Sequence, residues 1–169
     1  PLIALMTDQV EALKQQGVAA ARLDSGVSLD ERSAIWAAAR SGDLDLLYVS
    51  PEGLAAGAMM DRLAELPLSL IAIDEAHCVS QWGHDFRPSY RRLRRLREAL
   101  PGVPVLALTA TATSLVARDI IRQLDMSKPA GFKGSFFRPN LYIYCRKKGT
   151  GPPRREIAGL IQARSGQSG

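Results

Sequence analysis

The chain has 169 residues, 46% hydrophobic and 23% charged, enough for one soluble α/β domain with a sizeable core. No apolar run approaches the roughly 20 residues of a membrane helix and no signal peptide is visible; two cysteines, Cys78 and Cys145, point to a reduced intracellular protein without zinc-ligand spacing. The net charge of +5 is uneven: residues 1–75 carry 5 Lys and Arg against 12 Asp and Glu, and residues 76–169 carry 17 against 5. A basic second half suits a polyanion partner as well as it suits solvated helix faces.

In chain order, the apolar run from Pro1 to Met6 reads as a strand or strand end, and an opening proline reads as truncation on the N-terminal side. Thr7 is placed to cap a helix that runs to Gln16, with Gly17 at its C′ position. Val18 to Arg22 reads as a second short strand. Ser28 with Glu31 matches a capping box and opens a helix to about Arg40, which Ser41-Gly42 ends. Leu46 to Val49 is a third strand, Met59 to Leu66 a helix whose methionine pair belongs in the core, and Leu70 to Ile73 a strand buried on both faces. Pro88 suits the first position of a helix to Leu100, with Leu93, Leu96 and Leu100 as its buried stripe and arginines on the other faces. Val105 to Leu108 is a further buried strand, and Thr113 is placed to cap a helix to Leu124. Phe132 to Phe137 and Leu141 to Cys145 read as extended.

Apolar strands alternating with helices argue an α/β fold, a parallel sheet with helices on both faces. Gly149 to Pro153 is the only linker-like stretch, and a helix from about Arg154 to Arg164 follows it. The expected organisation is one domain over residues 1–148, then a linker and the first helix of a second, truncated domain over residues 149–169.

The densest chemistry lies between Leu70 and Tyr90, LIAIDEAHCVSQWGHDFRPSY. Asp74 and Glu75 sit at the C-terminal end of a strand, where open α/β sheets bind ligands. Two adjacent acids repel, and burying them needs a cation or a catalytic task; on an open turn they would simply be solvated. A magnesium–nucleotide site fits the pair, one carboxylate toward the metal and one toward a water. The segment that follows sets Trp82, Phe86 and Tyr90 among His84, Asp85 and Arg87.

DEAH followed by CVSQWGHDFRPSY resembles motif II and the aromatic-rich loop of the RecQ family of DNA helicases, a pairing more specific than DEAH alone. The resemblance implies a RecA-like fold of the P-loop NTPase type, with ATP and Mg²⁺ as cofactors. It implies that Asp74 holds the metal through water and that Glu75 orients or deprotonates the attacking water. His77, beside them at the nucleotide, would face the path that couples nucleotide to DNA; read without the resemblance, it is a hydrogen-bonded structural histidine. ALTATAT, from Ala107 to Thr113, resembles motif III, and implies a relay of hydrogen bonds through Thr109 and Thr111. Bases stack on exposed rings for ~1–3 kcal/mol each; the loop's aromatics could instead tuck into the core, and the resemblance makes Trp82, Phe86 and Arg87 the expected sensors of single-stranded DNA. Tyr90, which begins a helix, is expected in the core.

Three weaker likenesses complete the set. PLIALMTDQV resembles motif Ia and YVSPEGL motif Ib, which makes Ser50 a candidate phosphate donor, unless Pro51-Glu52 is a plain turn. FFRPNL, from Phe136 to Leu141, resembles the segment that closes the first helicase domain, with Phe137 where most of the family has a polar or acidic residue. Arg138 is its candidate contact to DNA or to an acidic partner. No G-x-x-x-x-G-K-[ST] phosphate loop occurs in the sequence, and an arginine finger from a second domain is worth ~10³–10⁵ in rate. The chain alone is therefore expected not to hydrolyse ATP usefully.

The resemblance implies the larger part of a first motor domain of a 3′ to 5′ DNA helicase of repair and recombination. Its partners would be single-stranded and branched DNA and a second RecA-like domain of the same chain, with no membrane, in the nucleus of a eukaryote or the cytoplasm of a bacterium. A DEAH or DEAD RNA helicase would share the acids and hydroxyls but not the QWGHDFRPSY loop. A non-catalytic nucleic-acid-binding module would bind single strands weakly, in a salt-sensitive way that ATP does not change.

Overall fold

The computed structural model describes residues 2–54, 58–135, 137–142, 145, 147 and 152–166. They divide into two compact units, Pro1–Ala130 and Gly131–Gly169. The division falls ahead of the linker-like Gly149–Pro153, of which residues 149–151 lie outside the described residues.

The first unit opens on a helix, not the expected strand: α1 spans Leu2–Gln15. An apolar run of six has no decisive period of its own. The wider spacing of Met6 and Val10, both buried, supplies a helical stripe. Thr7 consequently lies inside the helix, and its hydroxyl donates back to the Ile3 carbonyl at 2.9 Å instead of capping. Gly17 takes the left-handed conformation that ends the helix, with φ 82°.

Strand β1 (Ala20–Leu23), helix α2 (Leu29–Ser41) and strand β2 (Leu46–Val49) make a parallel βαβ unit, Ala20 opposite Leu46 and Leu23 opposite Val49. The capping box is present: Ser28 Oγ accepts from the Glu31 N–H at 3.3 Å, and the Glu31 carboxylate accepts from the Ser28 N–H at 3.1 Å. Two short helices follow, α3 (Pro51–Leu54) and α4 (Ala58–Ala64), with Met59 buried as expected and Met60 packed at the core's edge.

The second βαβ unit pairs β3 (Ile71–Ile73) with β4 (Val105–Ala107), Ile71 opposite Val105 and Ile73 opposite Ala107. Between them lie a 3₁₀ turn (Ala76–Val79), α5 (Pro88–Arg91) and α6 (Arg94–Ala99). The helix expected over Pro88–Leu100 is thus broken. Its buried stripe, Leu93, Leu96 and Leu100, is kept, and Tyr90 joins it. Tyr90, Leu93 and Leu96 repeat every three residues, the 3₁₀ period, and i→i+3 bonds from Arg92 to Ser89 and from Leu93 to Tyr90 bridge the break. Helix α7 (Ser114–Gln123) closes the unit, capped by Thr113, whose Oγ1 accepts from the Val116 N–H at 3.3 Å.

The single sheet expected from the strand pattern is, among the described residues, two separate two-stranded parallel ladders, β1-β2 and β3-β4. Nor is β3 buried on both faces. Ile73 is buried, but Ala72 is exposed, and so are Leu70, Leu106 and Leu108 nearby. A ladder of two strands buries one face on the helices and leaves the other open unless a further layer covers it. One continuous apolar cluster joins the two βαβ units, running through Leu23, Trp36, Leu63, Ile73, Val79, Leu93, Val116 and Leu124.

In the second unit, α8 (Pro153–Gln162) matches the expected helix, and its side chains are exposed. The described residues of the two extended stretches, 132–135, 137, 141, 142 and 145, form no strand; 136, 143 and 144 lie outside the described residues.

Candidate functional site

The site is built where β3 ends. Past the strands the pairing continues by two backbone bonds, Leu108 N–H to the Ile73 carbonyl and Ala76 N–H to the Leu108 carbonyl, both 2.9 Å. They hold the DEAH turn against the start of the threonine segment. Glu75 itself is left-handed, with φ 49°, a conformation that costs a non-glycine residue ~1–3 kcal/mol and persists only where surroundings enforce it. Asp74 Oδ1 accepts from the Glu75 N–H at 2.8 Å. Both carboxylates are exposed at the strand's C-terminal end.

From Glu75 a chain of polar contacts runs inward. His77 is only 5% exposed. Its Nδ1 lies 3.1 Å from Glu75 Oε2 and 3.0 Å from Thr109 Oγ1. One nitrogen cannot donate fully to the carboxylate while accepting from the hydroxyl, so the proton's position on the ring decides which neighbour it engages. The His77 ring stacks on His84, centroids 4.2 Å apart and planes 17° from parallel. His84 Nδ1 in turn meets Thr111 Oγ1 at 3.5 Å, and the Thr111 N–H donates to Thr109 Oγ1 at 3.3 Å.

The aromatic loop is closed at its base by the Arg87 N–H donating to the Cys78 carbonyl at 3.1 Å. Gly83 presses on the DEAH turn: a Cβ there would lie 2.3 Å from the His77 carbonyl oxygen, so only glycine fits. At the loop's surface Trp82 is 66% exposed and Phe86 is 37% exposed. Asp85 accepts from Arg87 Nε at 3.0 Å and from Nη2 at 2.5 Å. That bond holds the Asp85 carboxyl below, and the Arg87 guanidinium above, their ordinary ranges. Arg87 is thus oriented before any ligand arrives. Tyr90 is buried, and burial pushes its phenol up to about 12. Burial also pushes the Cys78 thiol up.

Asp74, Glu75, His77, Thr109, Thr111, Trp82, Phe86 and Arg87 therefore lie on one connected stretch of structure. Ser50 lies at the start of α3. It is 9% exposed, and its Oγ accepts from the Gly53 N–H at 3.1 Å as the cap of α3. Serine before proline at a helix start is a capping signal. Arg138 belongs to the second compact unit. His84, Gly83 and Asp85 are functional candidates that pattern reading passed over as members of a site. A glycine between tryptophan and histidine, and an acid two residues before an arginine, were the available signals.

Two exposed carboxylates at a strand end are oxygen donors of the kind suited to a hard divalent cation such as Mg²⁺. Among the described residues the mixed grouping His77, Cys78 and Asp85 brings its donor atoms within 4.8 Å, but its carboxylate is already bound by Arg87.

Residues 1–120 match the DEAD/DEAH box helicase family. The chain belongs to that family. It is 40% identical across its whole length to the ATP-dependent DNA helicase RecQ of Pasteurella multocida, covering 26% of that protein. Over 88% of its length it is 42% identical to the ATP-dependent helicase SGS1 of Saccharomyces cerevisiae, covering 11% of it. It is 40% identical across its whole length to the ATP-dependent DNA helicase Q1 of Rattus norvegicus, covering 29% of it. The chain thus spans about a quarter of the length of the bacterial relative. Among the described residues no helix is long and apolar enough to cross a membrane.

Proposed function

We propose that this chain is the part of a RecQ-type, ATP-dependent DNA helicase that links the nucleotide-hydrolysing acids to a sensor of single-stranded DNA. The observation that carries the reading is the unbroken path from Glu75 through His77 to Thr109, and through the stacked His84 to Thr111, beside a loop that exposes Trp82. In phosphoryl transfer to water the protein chiefly positions groups and neutralises charge. Asp74 would hold the magnesium of the Mg-ATP substrate, which supplies charge neutralisation at the β- and γ-phosphates. Glu75 orients the attacking water and accepts its proton. His77 reports the state of Glu75 to the threonine segment by engaging either Glu75 or Thr109. Trp82 and Phe86 offer stacking faces to unpaired bases, and Arg87, pre-oriented by Asp85, offers charge to the strand.

Two parallel βαβ units, each with its ligand-facing end toward the loops, are the pieces from which a RecA-like motor domain is assembled, and that is the fold we propose. A second such domain, translocation 3′ to 5′, single-stranded and branched DNA as substrate, and an intracellular setting belong to the same reading. The test is ATP hydrolysis by a protein that carries this segment at a length comparable to its relatives'. Glu75→Gln is expected to lower the rate stimulated by single-stranded DNA by ~10²–10⁴, the worth of a positioned general base, while oligonucleotide binding persists. An undiminished rate in that variant would remove Glu75 from the chemistry and the reading with it.

A further inference from the structure

Two buried polar side chains stand outside the path just described. Ser80 is 0% exposed and Asp119, on α7, is 5% exposed. Ser80 Oγ donates to Asp119 Oδ2 at 2.7 Å and accepts from the Trp82 N–H at 3.2 Å. The other carboxylate oxygen, Oδ1, accepts from Arg122 Nη2 at 2.6 Å and from Gln123 Nε2 at 3.4 Å. Burial works to raise this carboxyl's pKa, and the bonds from Ser80, Arg122 and Gln123 outweigh it and leave the group lowered. A buried carboxylate is costly, and an apolar side chain would suit a site between the buried Val116 and Ile120 more cheaply. Such a group is retained at a cost in stability where it specifies one arrangement.

The arrangement it specifies is the placement of the aromatic loop on α7. That helix starts directly after the threonine segment, and Thr113 caps it. The loop therefore meets this one stretch twice, through His84 at Thr111 and through Ser80 at Asp119. We propose that Asp119 is a positioning residue: through Ser80 it fixes the backbone of Trp82 relative to α7, so the indole stands ready beside the threonine relay before DNA arrives. The inference rests on Trp82 being the platform for a base, as proposed above. A loop already ordered does not pay that ordering cost on binding, a difference of about 2- to 10-fold in affinity.

The chain has two tryptophans, Trp36 being 3% exposed in the core and Trp82 being 66% exposed. Labelled with 5-fluorotryptophan, it gives two ¹⁹F resonances, assigned with Trp82→Phe. Asp119→Ala is expected to shift and narrow the Trp82 resonance, leave that of Trp36 in place, and weaken binding of oligothymidylate about 2- to 10-fold. Asp119→Asn, which keeps an acceptor for the Ser80 hydroxyl, is expected to restore the Trp82 resonance. If Asp119→Ala disturbs both resonances, Ser80→Ala removes the same bond with less change of volume and decides the matter. A Trp82 resonance that stays put in a variant whose Trp36 resonance also stays put overturns the proposal. So does joint movement of both resonances in both variants, which leaves Asp119 a core role alone. Oligothymidylate added to the unsubstituted chain tests the platform separately: no shift at Trp82 would remove the DNA reading, while the variants still judge the clamp without DNA.

Discussion

Glu75 is the residue on which the proposed chemistry turns, and its backbone shapes the turn around it. In the left-handed region its peptide reverses the chain at the strand end, which carries Ala76 N–H to Leu108 and brings His77 back to the Glu75 carboxylate. Asp74 and Glu75 stood out as adjacent acids after an apolar run, and both lie exposed at the C-terminal end of β3. His84 did not stand out, because it sits on an irregular loop, where its stacking on His77 leaves no mark in a helix or strand pattern. Ser50 reads two ways because a hydroxyl before proline serves a phosphate and a helix cap equally well on paper, and its Oγ accepts from the Gly53 N–H at the start of α3. Tyr90, expected in the core, offers a clean test at this scale. Its phenol is raised from 10.0 to about 12 by burial, so the folded state favours the neutral form. The stability this contributes is fully present below pH 10 and is lost as pH rises through about 12. Urea midpoints measured from pH 9 upward are expected to fall in that window, and Tyr90→Phe is expected to flatten that part of the fall. An identical alkaline profile in both proteins would contradict the assignment.

Among the elements, those with their own local chemistry were legible and those defined by what covers them were not. The capping box of α2, the cap of α7 and strand β2 stand where their residues place them, because each is decided within a few positions of chain. Ser28→Ala removes the Oγ that accepts from Glu31 and is expected to cost about 1 kcal/mol in denaturant unfolding without moving its slope. A change below a few tenths would show that the cap is idle. Helix α1 was misassigned because its apolar start is short and its stripe is set by Met6 and Val10 further on. The break between α5 and α6 follows from tertiary burial of Tyr90, Leu93 and Leu96 at a spacing of three, which competes with the helical period. Strand β3 reads as doubly buried from composition, but Ala72 is exposed, since apolarity states what a strand tolerates and not what lies over it.

At the scale of the whole molecule, the acids and the aromatic loop occupy the first compact unit, where one apolar core supports both. The basic balance of the second half, 17 Lys and Arg against 5 Asp and Glu after residue 75, adds a long-range attraction for phosphate that salt weakens. In the proposed function, stacking on Trp82 is the short-range, salt-tolerant part of the same encounter. The two contributions separate in a titration of fluorescein-labelled oligothymidylate with the chain, followed by anisotropy at several salt concentrations. Trp82→Ala is expected to weaken binding by ~1–3 kcal/mol, the worth of one stacked base, with the salt slope unchanged because no phosphate contact is lost. Equal affinity in the substituted and unsubstituted chains at every salt concentration would contradict the claim that this loop senses unpaired bases.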